Sequence, residues 1–174
     1  MLRLKLDEFV DGDNVYPEVI VDLEHSLYSL SKWEYRHLKP FFKRNEERTT
    51  EEALDYIMQM VVGEVPPLFV RRLTAEDVTA VYEHVQAEKT ATWFREDPNQ
   101  KPSRETITSE LIYSWMVEFR IPPEYQYWHL SRLMTLIKIL GIRQAPPKKM
   151  SQRQQMDEMR RLNAERKKQL GTTG

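Results

Sequence analysis

TTEEALDYIMQMVVG, residues 49–63, is the stretch on which the fold turns. Thr49 and Glu52 have the spacing of a capping box, in which each side chain satisfies an amide that the first helical turn leaves unpaired. Leu54, Ile57, Met58 and Val61 then follow at helical spacing, and Gly63 stops the run ahead of Pro66-Pro67. The pattern predicts an amphipathic helix with one face against a core.

Downstream the same punctuation recurs. Thr74 and Asp77 repeat the cap, Leu73 and Val78 have the spacing of a hydrophobic staple, and Val78, Val81, Tyr82 and Val85 make the stripe of a second helix. Residues 89–101, with Trp93-Phe94 and Asp97-Pro98-Asn99, read as a connection pinned to the core by two aromatics. Ser103 is the expected cap of a third helix, whose apolar face is Leu111, Ile112, Trp115, Met116 and Phe119. Pro122-Pro123 ends that helix and opens the next, because proline disfavours a helical residue before it and suits a first turn. In the fourth helix Tyr127, Leu130, Leu133, Met134, Leu136, Ile137 and Leu140 cover most of the circumference. It is expected to be the central element of the core, with Gly141 as its C-cap.

Upstream the period changes. Leu2, Leu4 and Leu6 alternate with Arg3 and Lys5, Val19–Leu23 is rich in β-branched residues, and Asp11-Gly12-Asp13-Asn14 between them is turn chemistry. A β-hairpin over about residues 1–30 follows, its second strand extended through the mixed segment after Glu24 towards Leu30. The fold class is mainly α (α+β): an N-terminal β-hairpin packed on a bundle of about four helices.

Ala145-Pro146-Pro147 is a stiff break, after which Ser151 and Gln154 suggest a capping box opening a polar helix to about Leu170. Its apolar stripe, Met156, Met159 and Leu162, is too narrow to form a core. The expected division is a globular body over 1–145, helical over about 49–142, and a basic tail over 146–174. Charge follows the same line. From Lys148 onward eight basic residues (Lys148, Lys149, Arg153, Arg160, Arg161, Arg166, Lys167, Lys168) face three acids, a net of +5, and positions 1–147 carry 18 against 24, a net of −6.

The chemistry-bearing residues are sparse. There is no cysteine, which removes thiol nucleophiles, thiolate metal sites and disulfides, and makes a reducing compartment the natural setting. His25, His37, His84 and His129 fall in no catalytic motif and no HExxH pattern, and read as surface polar groups or satisfied core histidines. His37 and His84 are isolated in the sequence, and Asp11-Gly12-Asp13 lacks the later acids of a calcium loop. With five glycines, no phosphate-cradling loop can be drawn. No enzyme class, cofactor or metal is therefore expected. The longest apolar-rich stretch, 130–142, is broken by Ser131, Arg132, Thr135 and Lys138 and falls short of the roughly 20 apolar residues that span a bilayer.

What remains is binding. Trp115 and Trp128 lie on helices and read as core, whereas Trp33, Phe41, Phe42, Trp93 and Phe94 lie in connections and are the expected protein-docking residues. The tail cations can neutralise phosphates, but no aromatic residues interleave them, so docking on an acidic protein surface is favoured over nucleic acid.

Six strings carry a resemblance over nearly the whole chain: LEHSLYSLSKWE (23–34), EEALDYI (51–57), TATWF (90–94), ITSELIYSWM (107–116), YWHLSRLMTLIKI (127–139) and APPKKMS (145–151). With the basic close Asn163-Ala164-Glu165-Arg166, they resemble a family of small proteins from the structural-gene cluster of long-tailed bacteriophages, which looks like the tail assembly chaperones. The resemblance implies a non-enzymatic protein of the host cytoplasm that coats the helices of the tape measure protein and recruits tail tube protein. Adaptable methionines such as Met58, Met60, Met116 and Met134 are compatible with a groove for such helices. A virion structural component (a connector or tail-completion protein), a nucleic-acid-binding accessory protein and self-association stay open beside it.

Overall fold

The chain alternates at its start because one face of a strand pair is buried. In the computed structural model, which describes residues 1–43, 48–94, 105–144 and 152–170, β1 (Leu2–Leu6) pairs antiparallel with β4 (Val19–Leu23), Leu4 opposite Val21 and Leu6 opposite Val19. Leu4, Leu6, Val21 and Leu23 point into the core, while Arg3 forks onto Asp22 at 2.8 and 3.1 Å and Lys5 meets Glu18 at 2.7 Å on the outer side. The connection is itself a small hairpin, β2 (Phe9–Asp11) with β3 (Asn14–Tyr16), turned at Gly12, whose φ of 62° no β-carbon obstructs. Arg72 closes it from beneath: its buried guanidinium donates to the carbonyls of Leu6, Asp7 and Pro17 at 3.3, 2.8 and 2.8 Å.

The expected extension of the second strand to Leu30 does not occur. β4 ends at Leu23, and α1 (Leu27–His37) begins behind a capping box in which Ser26 and Ser29 satisfy each other's amides. A serine at the third helical position does the work usually given to Glu or Gln. The helix ends at Leu38 in the left-handed region, φ 52°.

α2 (Thr50–Gln59) and α4 (Ala75–Gln86) carry the capping boxes expected of Thr49/Glu52 and Thr74/Asp77, with the short α3 (Phe69–Arg72) between them. In α4 the buried positions are Val81 and His84, whereas Val78 and Tyr82 are exposed, so the helix presents a narrower face than the apolar pattern suggested. α5 (Ser109–Glu118) is capped by Thr108, and the expected cap Ser103 lies outside the described residues. Pro122-Pro123 opens a 3-10 helix, Pro123–Tyr127, and α6 (Leu130–Gln144) begins beyond it.

Two further expectations are corrected. α6 runs through Gly141, whose nearest neighbour is the Phe119 ring, and buries only Leu130, Leu133 and Ile137. The most enclosed element is α1, where Leu27, Leu30 and Trp33 are fully buried, because α2, α5 and the 3-10 helix all close on it. The exit from α2 also extends the sheet: Glu24 N–H donates to the Met60 carbonyl at 2.9 Å and Val62 N–H to that of Asp22 at 2.8 Å. At the next residues Ser26 bridges to His129, and Leu130 N–H donates to the His25 carbonyl at 2.7 Å.

The chain divides into two compact units, Met1–Gly141 and Ile142–Gly174. The second contains α7 (Gln152–Leu170), in which every described side chain is exposed, Met156, Met159 and Leu162 included. Pro146-Pro147 and Ser151 lie outside the described residues.

Candidate functional site

The five aromatic residues expected to form a docking groove do not share one. Trp33 is buried, its indole N–H donating to the Glu52 carbonyl at 2.9 Å and its ring 5.2 Å from that of Phe41. Phe41 is also buried, with Arg48 stacked 3.7 Å above it, and Phe42 lies against its edge, partly exposed. Both core residues were assigned to a connection, but Trp33 sits on the inner side of α1, where an apolar ring of this size belongs. Trp93 is 82% exposed, and Phe94 lies under the Lys138 ammonium at 4.2 Å. Among the described residues no ring contact joins this pair to the Trp33 cluster. Trp115 packs on the core as expected, whereas Trp128 lies outside it, stacked on Tyr125 at 4.0 Å with Arg132 over its other face at 3.9 Å. The methionines expected in a groove belong to the core: Met60 and Met116 are buried, and Met58 and Met134 are partly buried against the core cluster.

A different aromatic surface emerges from helix geometry. Residues seven apart share a helix face, so Tyr28 and Tyr35 lie on the outer side of α1, with Lys32 4.9 Å over the Tyr28 ring between them. The Tyr28 ring sits 5.2 Å from that of Tyr127, and Tyr113 of α5 donates its hydroxyl to Gln126 at 2.8 Å beside them. Burial among these rings raises the Tyr113 pKa, which keeps its hydroxyl a donor. Val117, one turn beyond Tyr113, extends the surface along α5. Tyr35 is 85%, Val117 79% and Tyr127 56% exposed, a concentration of tyrosine with apolar edges that costs solvation in the isolated chain and suits a protein partner. The signal is present as spacing along α1 and α5, but the sequence reading carries the strand towards Leu30 and places Trp33 in a connection, which hides the helix.

In the tail, Arg160, Arg161 and Arg166 are exposed on α7, and Arg161 reaches Glu165 one turn on at 3.8 Å. Arg153, Lys167 and Lys168 lie within the same helix, and Lys148 and Lys149 lie outside the described residues.

The histidines gave the largest departure from sequence. His37 bonds Asp55 at 2.9 Å at the surface of α1, but His25, His84 and His129 are buried together, so His84 is not isolated. The His129 ring is 5.3 Å from His25 and 5.0 Å from His84. Nε2 of His129 donates to the His84 carbonyl at 3.0 Å, Nδ1 faces the Ser131 hydroxyl at 2.8 Å, and His84 Nε2 meets the Glu24 carboxylate at 3.1 Å. His25 Nδ1 is 2.5 Å from the Tyr56 hydroxyl. Burial lowers all three pKa values, that of His25 to about 4 with the neighbouring imidazoles adding to the effect, so the rings are neutral at neutral pH. One donor atom from each of Glu24, His84 and His129 lies within 4.8 Å of the other two, a group able to hold a metal ion. Its members come from the end of β4, the last turn of α4 and the entry to α6. No local motif could reveal it.

Compared with protein-family models, curated proteins and solved structures, the chain matches none.

Proposed function

We propose that the protein is a non-enzymatic assembly chaperone of long-tailed bacteriophages that binds the tape measure protein and promotes tail tube assembly in the host cytoplasm. The observation that carries this reading is the exposed tyrosine surface of α1 and the 3-10 helix, Tyr28, Tyr35 and Tyr127, continued on α5 by Val117 and the half-buried Tyr113. Tyrosine supplies large contact area with few rotatable bonds and a polar rim, the composition of protein-binding hot spots. Two helices side by side with apolar and aromatic edges suit the apolar stripe of an amphipathic helix. The exposed Met156, Met159 and Leu162 of α7 offer a second adaptable stripe. Co-expression with a tape measure protein tests the proposal: it expects the partner to stay soluble and to copurify, and the chaperone to be absent from finished particles. Insolubility of the partner would defeat it, and recovery of the chain in purified virions would favour a structural component instead.

Nucleic-acid binding is the second reading, favoured by the exposed Arg160, Arg161 and Arg166. It requires salt-sensitive binding to DNA or RNA that disappears with residues 148–174.

A further inference from the structure

We propose that Glu24, His84 and His129 form a binding site for one divalent transition-metal ion of zinc's class, held by two imidazole nitrogens and a carboxylate oxygen. The inference rests on the convergence itself and on no part of the docking proposal. The three donors lie within 4.8 Å of one another, although 60 residues separate Glu24 from His84 and 45 separate His84 from His129. In a tetrahedral zinc site with bonds near 2.0–2.1 Å, ligand atoms stand about 3.3 Å apart. The His84–Glu24 contact of 3.1 Å already has that spacing, and the His129 donor closes on it from within 4.8 Å.

The chemistry of the pocket fits. Each ring points Nε2 at an acceptor, His84 at the Glu24 carboxylate and His129 at the His84 carbonyl, so ligation through Nε2 moves the ring proton to Nδ1. Ser131, whose hydroxyl already faces His129 Nδ1 at 2.8 Å, is the outer partner that fixes the ring once Nε2 gives up the His84 carbonyl for the metal. His25 is engaged with Tyr56 and forms the wall behind, not a ligand. Glu24 supplies the approach: its side chain keeps 13% exposure against 5% for His84. Two nitrogens select against calcium and magnesium, which take oxygen donors, and favour the zinc class. A fourth position is left for water.

The test uses the full untagged chain, stripped with a chelator and titrated with zinc chloride against a chromophoric competitor. One ion per chain is expected, with cobalt(II) giving the intense visible bands of four- or five-coordination and neither magnesium nor calcium competing. Imidazole nitrogen resonances of His84 and His129 should move on zinc addition while His37 stays in place; this reading needs no variant and so does not depend on any substitution folding. Among folded variants, H84Q and H129Q should weaken binding at least about 100-fold and S131A roughly tenfold, with H37Q unchanged. Absence of stoichiometric zinc uptake, or resonance shifts confined to His37, overturns the proposal. So does affinity indifferent to E24Q, H84Q and H129Q.

Discussion

One side of α1 buries Trp33 between Phe41, Tyr56 and the Glu52 carbonyl, and the other presents Tyr28 and Tyr35 to solvent beside Tyr113 and Tyr127. Both sides are aromatic, and they differ in whether the chain itself supplies the second surface. On the inner side α2 and the residues after α1 close over the ring, so its contacts stabilise the fold. On the outer side the rings meet one another and a lysine, which leaves Tyr35 and Tyr127 mostly uncovered and Tyr28 partly so. Aromatic content alone therefore says nothing about docking; the side of the helix decides.

Trp33→Ala breaks the inner side and should cost about 4 kcal/mol in chemical denaturation, the range for truncating a fully buried aromatic residue. Tyr35→Ala, on the same helix, should stay within about 0.5 kcal/mol. Glu34 links the two sides, because its buried carboxylate accepts from Phe41 N–H at 2.7 Å and Ser109 N–H at 2.6 Å and so seats the start of α5 against α1. Glu34→Ala leaves two amides unpaired and should destabilise by roughly 3 kcal/mol, with weakened capture of a helical partner because Tyr113 moves with α5.

Stability also depends on pH. The folded-state pKa of His25, pushed down to about 4 by burial, lies below the ordinary value of 6.5, so the unfolded chain binds the proton first. Stability should be full above about pH 6.5 and fall as pH drops towards 4, by roughly 3 kcal/mol from His25 alone. His84 and His129 shift in the same direction and add to the loss. Denaturation of chelator-treated protein at stepped pH measures it, and a flat profile would contradict the buried histidine cluster.

Removing Tyr28, Tyr35 and Tyr127 together should weaken partner capture about 30-fold, near 2 kcal/mol, while the unfolding midpoint changes little. Equal losses of stability and capture would mean that the outer side is structural after all. The smallest effect is expected at Leu38, which ends α1 at a φ of 52° while 87% exposed. Leu38→Gly should gain about 1 kcal/mol or less, since relief of the left-handed strain is offset by glycine's greater freedom in the unfolded chain.

The parts of the fold legible in sequence were those written in local spacing. Thr49/Glu52 and Thr74/Asp77 mark helix starts within four residues, and Leu2, Leu4 and Leu6 set the strand period. α1 escaped because its cap uses Ser29 where Glu or Gln is the usual signal, and Leu27, Leu30 and Trp33 are interleaved with serine and tyrosine. Trp33 and Phe41 consequently passed for loop aromatics. The histidine junction was beyond reach for another reason. Its members are set side by side only when β4, α4 and the entry to α6 have docked, and nothing in the neighbourhood of His84 or His129 encodes that.

The backbone bridge from Ser26 to His129, with Leu130 N–H on the His25 carbonyl, also has a temporal consequence. During synthesis the hairpin, α1 and α2 leave the ribosome before α6, and the Glu24–Met60 bond lies wholly within that early part of the chain. The His25 carbonyl waits for the amide of residue 130, and an unpaired polar group there cannot be buried without cost. The end of the first β-strand pair, although among the earliest segments made, thus receives its last backbone partner late, and a chain halted before α6 leaves the His25 carbonyl without the Leu130 amide.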